Sequence, residues 1–200
     1  NYTVIGIFER NEFLLDILVE GEGTVTENVI SQPSQDYTYE TVVELTPEPS
    51  SGWRFAEWGG DASGSDIPLQ VTINQQTSIT ATFFATFSVA ENGITIQCPL
   101  SNPGDIGIID GIEYEAVDRT LLYQRRNEGA DLSKVCTSLV TDMSGLFSNY
   151  TTFNQDITSW DVSNVTNMRD MFKGADLFDQ PIGVWDVSSV QIMSGMFHAN

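Results

Sequence analysis

One histidine, His198, and two cysteines, Cys98 and Cys136, set narrow limits on the nucleophilic and metal chemistry open to this chain. A Ser-His-Asp or Cys-His arrangement needs a histidine held in a core, and His198 lies two residues from the end of the sequence. The cysteines fall in no CxxC or Cys/His cluster, so the spacing of a zinc site is missing. Two readings remain for them: a disulfide, if the protein is exported, or two buried thiols. We favour the disulfide, whose loop is worth ~4 kcal/mol by chain-entropy arithmetic. Carboxylates are the other resource. Asp161 and Asp186 occupy the same place in successive repeats and would stack ~4.8 Å apart at sheet spacing. Such a pair repels by ~0.9 kcal/mol in water and ~3.5 kcal/mol at an effective dielectric of about 20. It must therefore be solvated, given N–H partners in an Asx-type turn, or neutralised by calcium or another ligand. The loop Asp61-Ala62-Ser63-Gly64-Ser65-Asp66 is also rich in oxygen ligands, but it lacks the alternating acids and closing glutamate of an EF-hand. A polar hairpin loop is the simpler reading, with calcium the alternative.

Trp53 and Trp58 could form a sugar-stacking platform or pack a small β core, and the core is the better expectation. No other cofactor is implied. The formal charge of −20 repels phosphate backbones and anionic membranes, which excludes nucleic acid and lipid surfaces as partners. No run of about 18 apolar residues is present to span a membrane.

The elements that must position these groups are repeats. Val140, Met143, Phe147, Phe153, Ile157, Trp160 and Val162 recur 25 positions later as Val165, Met168, Phe172, Phe178, Ile182, Trp185 and Val187. Residues 140–164 and 165–189 agree at 11 of 25 positions. Within each copy, Met143, Leu146 and Phe147 sit at i, i+3, i+4, which predicts a short helical turn with Thr141 or Thr166 as its N-cap. Trp160-Asp161-Val162 alternates, which predicts a short strand with Trp and Val facing inward and Asp outward. One such coil cannot bury its own apolar face, so it must stack on neighbours in a solenoid. The expected rungs are Met143, Phe147, Phe153, Ile157, Trp160 and Val162, below Met168, Phe172, Phe178, Ile182, Trp185 and Val187.

Upstream, short alternating runs over 14–19, 23–26, 41–46, 53–58, 69–73 and 78–84 are separated by Gly/Pro/Ser turns and predict a small β-rich module. Thr3–Phe8 resembles Ser78–Phe83, so residues 1–10 are expected to end a preceding copy. The module then covers 11–85. Residues 86–139, with strands over 93–96 and 106–109 and a short helix holding Leu121 and Leu122, are expected to link the modules and cap the solenoid. Repeats fill 140–200 and break off within a third copy, so we expect the natural protein to continue at both ends.

Two resemblances follow from these strings. Val140-Thr141-Asp142-Met143-Ser144-Gly145-Leu146-Phe147, then Phe153-Asn154-Gln155-Asp156-Ile157 and Trp160-Asp161-Val162-Ser163, resembles the BspA-like repeat, a leucine-rich-repeat-like unit of bacterial surface proteins. The lead-in through Asn92–Ile96, Cys98 and Cys136-Thr137-Ser138 looks like that of Bacteroidota members. Gly21-Glu22-Gly23-Thr24-Val25, Val43-Glu44-Leu45-Thr46 and Gly52-Trp53-Arg54-Phe55-Ala56-Glu57-Trp58-Gly59-Gly60-Asp61 resemble the divergent internalin-B-type repeat over about 14–84. The resemblances imply a mainly β chain with short helices: a β-grasp-like spacer module followed by a capped, leucine-rich-repeat-like β/α solenoid of 25-residue coils. They bring no catalytic residues. They imply an extracellular, cell-surface adhesin or stalk that contacts a protein or a glycan. The alternative is a ligand- or glycan-binding appendage of a larger secreted hydrolase.

Overall fold

The computed structural model describes residues 13–31 and 40–198, which form two compact units, 13–85 and 86–198. The expected end of a preceding copy, residues 1–10, lies outside the described residues.

The first unit is built from strands alone. Alternation decides their faces: in β3 (Thr41–Pro49) Thr41, Val43, Leu45 and Pro47 are buried while their neighbours are half-exposed. In β6 (Thr77–Ala85) the same holds for Thr77, Ile79, Ala81 and Phe83. β3 is flanked antiparallel by β2 (Gly23–Ser31) and β5 (Leu69–Ile73). β6 is flanked by β1 (Leu15–Glu20), which runs parallel to it, and by β4 (Trp53–Gly60), which runs antiparallel. The two three-stranded sheets share one core, with Val43, Leu45 and Ile73 from one and Trp58, Ile79, Ala81 and Phe83 from the other. The unit is β-rich, as expected, and no helix occurs among its described residues. Gly21 shows why the Gly-Glu-Gly string is needed. It has φ +88°, and a Cβ there would lie 2.4 Å from the Phe83 carbonyl oxygen.

In the second unit, β7 (Ser88–Val89) pairs antiparallel with β8 (Ile96–Gln97). The strand expected over 93–96 starts only at Ile96. The Asn92 carboxamide oxygen accepts from the amides of Ile94 and Thr95 and holds those residues in a turn. β9 (Ile106–Ile109) and β10 (Ile112–Ala116) form a hairpin through Asp110-Gly111, both at positive φ. β10 then pairs parallel with β11 (Val135–Cys136). Helix α1 (Arg119–Glu128) begins where the Asp118 carboxylate accepts from the Leu121 amide. It ends at Gly129, φ 71°.

From Leu132 onward the backbone is mostly a succession of turns. Amide-to-carbonyl bonds three residues apart link Leu146 to Met143, Ser148 to Gly145, Tyr150 to Phe147, Phe153 to Tyr150, Trp160 to Ile157 and Val165 to Val162. The same set recurs one copy later at Met171, Lys173, Ala175, Phe178, Trp185 and Val190. The helical turn expected at Met143–Phe147 is absent. Gly145, Asp170 and Gly195, one per copy, all have positive φ (66°, 53° and 70°), which no α-helix accommodates. The amides that a helix would use internally are sent outward instead. Those of Met143, Gly145, Phe147 and Asn149 donate to the carbonyls of Asn167, Arg169, Met171 and Lys173 at 2.7–2.8 Å. Those of Met168, Asp170, Phe172 and Gly174 donate in turn to Ile192, Ser194, Met196 and His198. Thr166 caps nothing: its hydroxyl donates to the Thr141 carbonyl, 25 residues back.

Candidate functional site

The expected rungs lie on one another. Trp160 and Trp185 stack with ring centroids 6.4 Å apart and planes 2° from parallel. Phe147, Phe172 and Phe197 form a column with 5.6 Å steps, and Phe153 and Phe178 stand 5.8 Å apart. Met143, Ile157, Trp160, Val162 and Met168 are at most 1 % exposed. Phe178 and Ile182 are partly buried against the same core, and Val187 is 41 % exposed in the last described coil. The indole N–H groups follow the period too. Trp160 Nε1 donates to the Leu132 carbonyl, and Trp185 Nε1 to that of Ile157. Leu132 therefore stands where Ile157 and Ile182 stand. Asp131 binds the Ser133 amide as Asp156 binds that of Thr158. Stacking thus reaches back to about residue 131, before the repeat boundary expected at 140.

Cys98 and Cys136 are bonded, 38 positions apart in sequence and with both side chains fully buried. A polar chain runs from this bond into the next coil. The Cys98 amide donates to Ser138 Oγ, and that hydroxyl donates to Asp161 Oδ2 at 2.6 Å. Asp161 Oδ1 accepts from the Ser163 amide and hydroxyl. Asp161 is 4 % exposed, so the expectation that it faces outward is corrected: the Trp160–Val162 segment is not a strand, and period-two alternation does not apply. Its two oxygens accept from three donors, the Ser138 hydroxyl and the Ser163 amide and hydroxyl. Asp186 is exposed and accepts from the Ser188 amide, and hydrogen bonding by Ser188 lowers its pKa from the usual carboxylate value. Both aspartates hold Asx-type turns.

Asp61 is likewise engaged, with Oδ2 accepting from the Ser78 amide. Trp58, 2 % exposed, folds the Asp61–Asp66 loop over itself: its amide donates to the Gly64 carbonyl and its indole to that of Asp66. Trp58 is a core residue and offers no platform to a sugar. Among the described residues no three His, Cys, Asp or Glu side chains converge on a point that could hold a metal ion. His198 is exposed.

Surface concavities in the second unit are shallow. One, of about 430 Å³, is lined by Glu113, Glu115, Arg125, Asp131 and Lys134. Four of these five charges are paired, Lys134 with Asp131 and Arg125 with Glu115. Arg125 forms a two-pronged bond to Glu115 at 2.6 and 2.7 Å and also holds Glu128. The Glu115 hydrogen bond raises the guanidinium pKa further above its usual value. Another, of about 190 Å³, lies beside Asn92, Gln97, Ser163 and Asp186. That is smaller than a cleft that encloses a small organic ligand.

Sequence reasoning missed four contributors. Ser138 links the disulfide to Asp161, and its recurrence as Ser163 and Ser188 was a visible signal. Arg119, Tyr123 and Arg126 of α1 bind carbonyls of the first coil, and only their i, i+4, i+7 spacing hinted at a shared helix face.

Residues 119–200 match the family described as "Mycoplasma protein of unknown function, DUF285", and residues 15–87 match the "Divergent InlB B-repeat domain". No curated protein and no solved structure matches the chain. No helix among the described residues is long and apolar enough to cross a membrane. The chain carries two repeat domains of the kind found on bacterial surface proteins, from families with no known catalytic role.

Proposed function

We propose that this chain is a non-catalytic segment of a secreted, cell-surface repeat protein. In this reading residues 15–87 form a spacer, and the 25-residue coils form a leucine-rich-repeat-like solenoid whose face adheres to an extracellular protein or glycan. The observation that carries the reading is the coil-on-coil ladder: backbone bonds and aromatic columns repeat every 25 residues, and stacking of this kind generates an extended face. The buried Cys98–Cys136 bond supports an oxidising, extracytoplasmic setting. The Bacteroidota-type lead-in suggests outer-surface display in such a cell. Antibodies against the purified chain test the reading on the source bacterium. Labelling of intact cells is expected, and labelling only after permeabilisation would refute surface display. Beads coated with the chain should then adhere to glycan- or matrix-coated surfaces and be displaced by free chain. Beads that bind none of them would remove the adhesive role.

A further inference from the structure

The sheet of β9, β10 and β11 has one closed edge and one open one. Both residues of β11 are buried. β9 forms the other edge, and no strand among the described residues pairs with its far side. The Ala116 amide donates to the Asp105 carbonyl, and Tyr114 and Ile112 stand opposite Gly107 and Ile109. In an antiparallel pair the bonded positions recur at every second residue. Gly107 and Ile109 therefore turn their N–H and C=O groups to β10, and Ile108 turns its own away from the sheet. Ile108 is 57 % exposed. It shares a face with Ile106, Glu113 and Glu115, which line the larger concavity described above. On the opposite face Gly107 lies directly on Phe87, where a Cβ would come within 2.2 Å of the ring. With no side chain between them, that contact fixes the strand, and the edge is preformed.

Exposed edges are normally blunted by lysine, proline, a bulge or a covering loop, because their unpaired groups template a further strand. Ile106-Gly107-Ile108-Ile109 carries no charge and no proline, and its register to β10 is unbroken. The charge lies around it and is of one sign. Asp105 and Asp110 flank the strand, Glu113 stands opposite Ile108, and Glu113 has no ion-pair partner among the described residues. A second copy of this chain would bring the same carboxylates against them, with a formal charge of −20 on each molecule. A strand carrying lysine or arginine is drawn in by the same field. Its residue opposite Ile108 would lie two strand spacings from Glu113, about 9.6 Å, a gap that a long basic side chain and the glutamate close between them. The methylene stem of that side chain would cover Ile108.

We propose that β9 takes up an extended, basic segment of a partner protein as a fourth strand, held by main-chain bonds at Ile108 and by lysine or arginine facing Glu113. The site lies outside the 25-residue coils, and it stands or fails independently of the adhesive coil face. The probe is a capped peptide of about seven residues that alternates valine and lysine, titrated into the isotope-labelled chain and followed by NMR. Amide shifts should be confined to residues 105–113, and the Ile108 amide should gain protection from exchange. The same peptide N-methylated along its pairing edge keeps the charge, loses the donors and should not bind. Exchanging its lysines for glutamates should likewise abolish binding. Ile108→Lys, at an exposed position, should weaken the peptide by roughly tenfold or more. Glu113→Gln should weaken it roughly two- to fivefold. Shifts spread over the acidic surface, or equal binding by the N-methylated peptide, would show charge attraction alone and overturn the proposal. The absence of binding overturns it, as does an Ile108→Lys chain that keeps its amide spectrum elsewhere and binds as well as the unmodified one. Shifts at Ile108 that grow with protein concentration before peptide is added would give the edge to a second copy, against the proposal.

Discussion

Phe147, Phe172 and Phe197 are the same residue at the same repeat position, yet alanine there should cost very different amounts. Phe172 is 3 % exposed between Phe147 and Phe197 and lies 4.0 Å from Phe178. Removing it opens a cavity between coils, which costs ~3–5 kcal/mol. Phe147, fully buried and stacked on Phe153 at 3.7 Å, should cost as much. Phe197 is 61 % exposed and has a ring on one side only. With about two-fifths of a side chain worth ~2–3 kcal/mol withdrawn from water, its loss should cost ~1 kcal/mol. The unit of residues 86–198 has an unfolding entropy of roughly 0.24 kcal/mol/K, so the expected drops in Tm are ~12–20 °C for the first two and ~4 °C for the third. Denaturant titration followed by tryptophan fluorescence, with unchanged m-values, gives the same ranking as free energies. Equal losses at Phe172 and Phe197, or a loss at Phe172 near 1 kcal/mol, would show that burial by stacking is not what stabilises this unit.

Three further outcomes follow from the same contacts. Reducing the Cys98–Cys136 bond should remove ~4 kcal/mol from the second unit, by the entropy of a 38-residue loop, and leave the melt of the β module in place. Calorimetry with and without a reductant reads this, and an unchanged transition of the second unit contradicts it. Ser138→Ala removes the donor to buried Asp161 and the acceptor for the Cys98 amide, for an expected loss of ~1–3 kcal/mol by chemical denaturation. A neutral result would mean that the network does not carry load. Asp131, Asp156 and Asp186 have pKa values lowered chiefly by hydrogen bonds from Ser133, Thr158 and Ser188. At Asp142 burial pushes the pKa up, but bonds from Ser144 and Arg119 outweigh it and the net shift is also downward. A lowered folded pKa means stability that is present above the unfolded value and lost as pH falls through the folded one. Midpoints should hold above about pH 5 and decline below about pH 4. A flat acid limb would contradict these turn assignments.

Much of this architecture was legible because it is periodic. The alternation of Val43, Leu45, Ile79 and Ala81 marked strands, and the recurrence of Trp160 as Trp185 marked stacked rungs. What misled was local spacing. Inward residues at i, i+3, i+4 suit a helix, but they also suit a string of tight turns, and Met143, Leu146 and Phe147 are all buried either way. The discriminating signal was present in Gly145, Asp170 and Gly195, and again in Asn149 and Gly174. These are residue types that tolerate left-handed backbone, placed once per copy where a helix would want alanine or leucine. The early coil near Leu132 was missed because it keeps the shape of the repeat with few of its identities. Asp131 corresponds to Asp156, but Val135 stands where Trp160 does, and Cys136 where Asp161 does. The bonds from α1 to the first coil left almost no pattern, since side chains bound to carbonyls impose no sequence on their acceptors.

Backbone amide exchange, resolved residue by residue with NMR, tests the stacked-coil account most directly. The amides of Met143, Gly145, Phe147, Asn149, Met168, Asp170 and Phe172 each bind a carbonyl 24 residues on, and they should be protected to near the global stability of their unit. Those of Met193, Gly195 and Phe197 occupy the same repeat positions and should exchange at close to unprotected rates. Uniform protection across all three copies, or fast exchange at Phe147 and Phe172, would contradict the account.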